Sequence, residues 1–279
     1  MNKLVSLKEA VSKIQDGMTV GIGGNVLHRA PMAFLREVVR SGKKQLKAIK
    51  TAGAHDVDLL ARAGALYSVD AGFISYETTY GLARYYRKGV ESGLIKGNEH
   101  ACYTVMCALR AAKSGVGFMP IKGLQISDLI DVNDYFKRVA DPFTGEAVTV
   151  VKAIAPDVTI IHVQECDREG NCLIYGPKFD DVLMAKASKK IIVTAEKIVD
   201  EQKIRRDPSA VALPGFLVDC VVHIPKGAQP CSVFGLYDID DAAIRGFLKD
   251  DSREAFDAYM KRYERQDQFQ SWEVKQYGL

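Results

Sequence analysis

Short apolar runs alternate with helical periods along most of the chain, and this alternation narrows the possible folds more than any other feature. Strand-like runs fall at Met18–Gly23, Leu46–Thr51, Leu66–Ile74, Gly117–Ile121, Val158–Val163, Ile191–Ala195 and Leu217–Ile224. Between them lie segments with apolar residues three and four apart. One is "PMAFLREVVRSG", with Pro31 at the first turn and Gly42 beyond the end; others are Val57–Ala63, Gly81–Ser92, Glu99–Lys113 and Phe179–Ser188. Apolar strands separated by helices predict an α/β fold, an open, mostly parallel sheet with helices on both faces. Residues 1–279 read as one domain, with a loop-rich excursion near 131–146 and a helical extension over 241–279. Within that extension, "SREAFDAYMKRYERQDQFQ" puts Phe256, Tyr259 and Tyr263 on one stripe, which reads as core or subunit contact.

Several function classes fall away on charge and spacing. A formal net charge of +3, with Lys and Arg mixed evenly among Asp and Glu, carries no nucleic-acid footprint. The N-terminal "MNKLVSLKEAVSKIQDGMTV" has a polar residue every few positions, so neither a signal peptide nor a membrane span is expected, and the cytoplasm is the expected compartment. The six cysteines, at 102, 107, 166, 172, 220 and 231, lack CxxC spacing and read as reduced, mostly buried thiols. Cys102 and Cys107 fall on different faces of a helix, and the five histidines form no HExxH pair, so no metal site is expected.

"TVGIGGNVLHRAP", Thr19 to Pro31, spells a strand, a glycine turn and a helix start, a layout that aims backbone N–H groups at an anion. A dinucleotide fingerprint counted from Gly21 needs a glycine at 26, where Val26 stands, and no acidic residue ends the following strand "LKAIKTAG". There is no GxxxxGK[ST] and no GxSxG. The turn therefore serves another acidic or carbonyl-bearing ligand, or is only a tight turn.

"GIGGN…RAP", "AGAHDVDLLARAG", "FMPIKGLQISDLID" and the long block from "DVTIIHVQECDREGNCLIYGPKFDD" through "KIRRDP" to "GLYDID" resemble, in order, the α (A) subunit of two-subunit class I CoA-transferases, most nearly its glutaconate CoA-transferase branch. The resemblance implies a fold shared with sugar-phosphate isomerases and an active site at the junction with a β subunit, in a higher oligomer of αβ pairs. It also implies no permanently bound cofactor, with a coenzyme A thioester as substrate. The implied chemistry is ping-pong transfer of CoA between a small acyl-CoA, dicarboxylic acyl groups included, and a carboxylate acceptor. A glutamate on the β subunit would attack the thioester. Other members decarboxylate acyl-CoA or open a CoA-linked ring by hydrolysis, and these outcomes stay open. A non-catalytic effector-binding domain is the alternative of another class, although no helix-turn-helix or basic arm precedes the first strand.

In relatives the glycine loop reads Gly-Gly-Phe and lines the acyl pocket. Gly23 and Gly24 match it, Asn25 replaces the phenylalanine, and the loop amides are candidate donors to an oxyanion. His28 and Arg29 are candidates to pair with a substrate carboxylate. Ser75 and Glu77, in "FISYETTYG", fall at a strand end, with Glu77 where the glutaconate enzymes place a substrate-contacting serine. Gln125 and Ser127 offer neutral hydrogen bonds after another strand; Lys178 and Phe179 open a helix near the expected junction. Arg205 and Arg206 read equally as subunit contacts or fold-holding ion pairs. The single Glu-x-Gly of the chain, Glu91-Ser92-Gly93, ends a helical run, where Gly93 suits a helix C-terminus and Glu91 is a poor nucleophile candidate.

Overall fold

The structure, a computed structural model, describes residues 2–124 and 126–268. Its strands are β1 (Thr19–Ile22), β2 (Leu46–Gly53), β3 (Leu66–Ile74), β4 (Lys96–Glu99), β5 (Phe118–Ile121), β6 (Phe136–Ala140), β7 (Ala147–Lys152), β8 (Val158–Cys166), β9 (Cys172–Leu173), β10 (Ile191–Ile198), β11 (Val211–Leu213) and β12 (Cys220–His223). Seven run parallel in the order β12-β10-β8-β1-β2-β3-β4. At its centre Val20 of β1 is flanked by Ala48 and Val158. Strands buried on both faces must be apolar on both, which is why these segments read as continuous runs.

Helices cover both faces, as expected. Leu7–Ser12, Met32–Arg40, His55–Arg62 and the C-terminal helices Asp241–Lys249 and Arg253–Arg262 pack on one side, in a core with Val20, Ile22, Ala48 and Ile160. Helices Cys102–Lys113 and Asp181–Ala187 pack on the other, with Ile49. Among the described residues, no helix is long and apolar enough to cross a membrane.

Two expectations need correction. Glu99 ends strand β4 and the helix starts at Cys102, because "KGNE" pairs with β3 at the sheet edge. The run at Gly117–Ile121 lies outside the parallel sheet; β5 joins β7 and β6 in a small antiparallel sheet, and the loop-rich segment 131–146 carries β6 and the turn into β7. An exposed run beginning with Lys137 and Arg138 hides a strand that is buried only through Phe136. The C-terminal stripe is core: Phe256, Tyr259 and Tyr263 are all buried. Residues of the 241–279 extension beyond 268 lie outside the described set.

Candidate functional site

The chain leaves β1 toward β2, β3 and β4 on one side, and β8, β10 and β12 continue on the other. The strand order therefore reverses between β1 and β8, and their carboxyl ends form the crevice where open α/β sheets bind ligands. The glycine loop sits at this reversal. Gly21 lets the helix Asp181–Ala187 close on the sheet: a Cβ there would stand 2.2 Å from Thr159 Oγ1 and 2.8 Å from Met184 Sδ. Gly24 has φ +77°, and a Cβ would lie 2.6 Å from the Arg29 carbonyl.

The anion that this turn holds belongs to the protein. The Gly24 N–H donates to Asp181 Oδ1 at 2.7 Å, and Arg29 Nη1 meets Asp181 Oδ2 at 2.5 Å in a pair with both side chains buried. The other amides are also engaged: Gly23 N–H with the Ile160 carbonyl, Asn25 N–H with that of His28, Val26 N–H with that of Ala52. The expected oxyanion donors are thus already committed inside the chain. Arg29 also lines the cleft beside the loop. Buried and bonded to Asp181, the His162 carbonyl and the Pro177 carbonyl, it holds the loop in place.

On the carbonyl side, Lys50 is fully buried in β2 and donates to the carbonyls of Ile22, Gly23 and Gly24 at 3.1, 2.6 and 2.9 Å, with Asp56 Oδ2 3.0 Å from its ammonium. Neither Lys50 nor Asp181 was anticipated. The available signal was a second lysine within a central strand, four residues from its start and flanked by Ile49 and Thr51, a position that only an internal partner makes tolerable.

Beside this loop opens a cleft of about 750 Å³, lined by His28, Tyr175, Phe179 and the segment Ser232–Asp238. His28 is exposed, and its Nδ1 is 2.6 Å from Ser232 Oγ. The Phe179 ring stands 5.6 Å from the Arg29 guanidinium. Phe234 and Leu236 project their side chains largely into solvent. A smaller recess of about 400 Å³ shares Tyr175, Phe234 and Leu236 and reaches Glu196 at the end of β10. Glu196 accepts from the Tyr237 hydroxyl and from the Lys226 N–H at 2.6 Å, and lies 2.8 Å from His162 Nε2. Burial works to raise its pKa, but these bonds outweigh burial and hold the carboxyl below its usual range. Glu196 thereby fixes the 226–237 segment that forms the cleft wall.

The remaining candidates are dispersed. Ser75 donates to the Gly81 carbonyl at 3.0 Å and accepts from the Glu77 N–H, which makes it a turn residue. Glu77 is exposed, with φ +60°, at the end of β3. It lies two strand spacings from β1, about 10 Å along the edge. Ser127 Oγ accepts from the Leu129 N–H, and Gln125 lies outside the described residues. Lys178 is exposed next to Phe179. Arg205 pairs with Glu201 in its own helix at 3.0 Å. Glu91 ends the helix Arg84–Glu91, paired with Arg87 at 2.6 Å, and Gly93 follows with φ +74°. That helix leads from the carboxyl end of β3 toward the start of β4, so Glu91 sits at the opposite edge of the sheet from the cleft.

The edge therefore offers binding walls more than reactive groups. Asp181 is held by Arg29, Asp180 accepts from Thr51 Oγ1 at 2.5 Å, and Glu196 is held from three sides. Asp238, exposed, is the only carboxylate lining the cleft among the described residues.

Comparison with known proteins gives a consistent result. A family model described as Coenzyme A transferase matches residues 4–223. The A subunit of glutaconate CoA-transferase from Acidaminococcus fermentans is 32% identical over 94% of this chain and 88% of its own length. The crystal structure of that organism's glutaconate coenzyme A-transferase superposes with a TM-score of 0.90, covering 99% of this chain and 93% of the other at 31% identity. The decarboxylase AibA/AibB superposes with a TM-score of 0.84 at 31% identity, over 94% of this chain and 100% of the other. An uncharacterised protein of Archaeoglobus fulgidus is 35% identical over 93% of this chain, which spans 59% of that protein's length.

Proposed function

Because the chain belongs to the coenzyme A transferase family, we propose that it is the α subunit of a two-subunit enzyme that moves coenzyme A from a small acyl-CoA to a carboxylate acceptor. The observation that carries this reading is the cleft: walls of His28, Phe179, Phe234 and Leu236 beside an edge whose buried carboxylates are all engaged. Such a half-site needs an attacking group from outside. In the transferase reaction a glutamate carboxylate of the partner attacks the thioester carbonyl and expels CoA thiolate, leaving a mixed anhydride. CoA thiolate then attacks the glutamyl carbonyl, which releases the first carboxylate and leaves a glutamyl-CoA thioester for the acceptor to reverse the sequence upon. This chain supplies the walls that exclude water and place the acyl group. The similarity to glutaconate CoA-transferase supports a dicarboxylic acyl group, with His28 as its nearest polar contact in the cleft. The six free thiols are compatible with the cytoplasm. A ring of αβ pairs would appear as a multiple of the pair mass in light scattering.

The test is transfer activity of the chain alone and with its partner, followed by borohydride reduction after incubation with acyl-CoA. Activity should need both subunits. One partner glutamate should become an alcohol, while Glu77, Glu91 and Asp238 stay unmodified. Robust transfer by the single chain, or a mass change at one of those three, would defeat the division of labour. Release of carbon dioxide with no modified glutamate would favour the second reading, a decarboxylase, which rests on the similarity to AibA/AibB.

A further inference from the structure

Where the chain reverses from β8 into β9, two buried thiols face each other. Residues 167–171 make the turn: the Gly170 N–H donates to the Asp167 carbonyl at 3.2 Å, and the Asp167 N–H donates to the Asn171 carbonyl at 3.0 Å. The next pair outward is Cys166 and Cys172, which stand directly opposite in the antiparallel register. Because backbone bonding alternates along such a ladder, and the Cys166 carbonyl accepts instead from the Val199 N–H, these two residues form a pair without backbone bonds between them. Pairs of this kind have Cα atoms about 4.5 Å apart and side chains close together, within the roughly 4.4–6.8 Å that a disulfide spans. The two sulfurs are 3.3 Å apart, with neither residue exposed, in an apolar cluster with Val163, Ile174 and Leu213. Closing that distance to the ~2.05 Å of a disulfide takes a small side-chain rotation and no change of register.

The surroundings decide how fast such a bond forms. Cys166 Sγ donates to the Asp167 carbonyl at 3.3 Å and Cys172 Sγ to the Gly170 carbonyl at 3.2 Å. Burial, then the neighbouring Cys172, pushes the Cys166 thiol well above its usual range, so thiolate is scarce while the turn is closed. The turn is also tied down from outside. The Lys3 N–H donates to the Arg168 carbonyl at 2.8 Å, its ammonium donates to the carbonyls of Gly215 and Val218 at 2.7 and 2.6 Å, and Asn171 Oδ1 accepts from the Gly215 N–H at 2.8 Å. Oxidation therefore waits on local opening of these contacts, and a bond once formed is shielded from reductants by the same contacts. Three residues beyond Cys172 stands Tyr175, a wall of the cleft, whose hydroxyl is 2.8 Å from Glu165 and whose carbonyl accepts from Gln164 at 2.9 Å.

We propose that Cys166 and Cys172 are a disulfide site, joined by an oxidant of the hydroperoxide class, and that the bond fastens the strand carrying Tyr175 to β8. As the turn opens, one thiol loses its proton and its sulfur attacks a peroxide oxygen. The O–O bond breaks, leaving a sulfenic acid, and the departing oxygen takes up that proton as water. The second sulfur then attacks the sulfenic sulfur; the S–S bond forms, and the hydroxyl leaves as water with the second thiol's proton. Two thiols lose two electrons, and one hydrogen peroxide is reduced to two waters.

Arg168 lies between the two cysteines, so trypsin separates them unless they are bonded. The full chain, held in hydrogen peroxide, denatured in iodoacetamide and digested without reductant, should yield the peptide Ala153–Arg168 joined to Glu169–Lys178, at their summed mass less two hydrogens. Dithiothreitol before alkylation should return the two peptides separately. The oxidised protein should melt about 3 °C higher, the modest gain expected from so short a closed loop, and amide exchange over Leu173–Tyr175 should slow severalfold. Neither shift should follow peroxide treatment of Cys172→Ser. Recovery of both cysteines as separate alkylated peptides after peroxide would overturn the assignment, and so would a sulfinic acid at either position or a bond from either to another cysteine. The peptide map needs neither a variant nor transfer activity, so it stands apart from the outcome for the transferase reading.

Discussion

Lys50 shows how much a single buried charge organises here. Its ammonium is surrounded by three carbonyls at the end of β1 and by Asp56, so the loop's carbonyls face a cation while Asp181 and Arg29 grip it from the other side. Removing one partner leaves the other charge buried and unpaired. Lys50→Met should therefore cost about 3–5 kcal/mol of unfolding free energy in urea titration, and Lys50→Met/Asp56→Leu should recover part of that loss. A single variant as stable as wild type would show that the Lys50–Asp56 pair contributes no net stability. The same packing changes the meaning of Gly24. With its amide bonded to Asp181 and no room for a Cβ, it is held by the loop's internal architecture, and substitution there acts on the fold before it acts on an acyl group.

At the scale of elements, the C-terminal helices are tied to the sheet through a chain of buried polar groups. Tyr76 donates its hydroxyl proton to Asp58 at 3.2 Å, so His55 Nδ1, 2.9 Å from that hydroxyl, must carry a proton and donate. His55 Nε2 is left to accept from Tyr259 of the helix Arg253–Arg262 at 2.6 Å. Burial first, then the charges of Arg36 and Arg62, push the His55 pKa down to about 3. A depressed histidine is stabilising while neutral, so its contribution is complete above the unfolded value near 6.5 and is lost as pH falls toward 3. The loss is roughly 4–5 kcal/mol over that window. Burial pushes Asp58 up to about 6 despite the N–H bonds from Tyr85 and Tyr86. Its sign is opposite: it favours folding below about 4, and that advantage fades as pH rises through 6. Denaturation curves between pH 7 and 3 should thus steepen on acidification in wild type and flatten in His55→Gln, with Asp58→Asn steeper than wild type between pH 6 and 4. Identical slopes for His55→Gln and wild type would exclude His55 as the titrating group.

At the scale of the whole molecule, the exposed rings and aliphatic groups at the cleft mouth, Tyr175, Phe179, Phe234 and Leu236, are the surface that the proposed partner subunit would cover. Leu236→Asp, more than half exposed in the isolated chain, should leave that chain's Tm nearly unchanged and weaken co-elution with the partner on size exclusion. Unaltered co-elution would place the junction elsewhere. Much of the architecture behind this surface was legible in the sequence. Strands buried on both faces have to be apolar throughout, helices have to show their period, and Gly42 and Gly93 mark helix ends by needing a left-handed backbone, so the parallel sheet and its covering helices follow from local chemistry. The motif order also carried the family. What local chemistry could not express was partnership across distance. Gly24 and Asp181, Arg36 and Asp267, and Glu196 and Tyr237 are separated by 157, 231 and 41 positions, and no spacing rule links them. Glycines that looked ready for a foreign anion meet an internal carboxylate, Arg29 spends its charge on the same group, and β6 is concealed by its exposed lysine and arginine. The sequence by itself determined which segments become strands and helices, because burial and backbone geometry act within a few residues. Only the tertiary structure decided which polar groups remain free to act, because that depends on which distant side chain reaches each of them first.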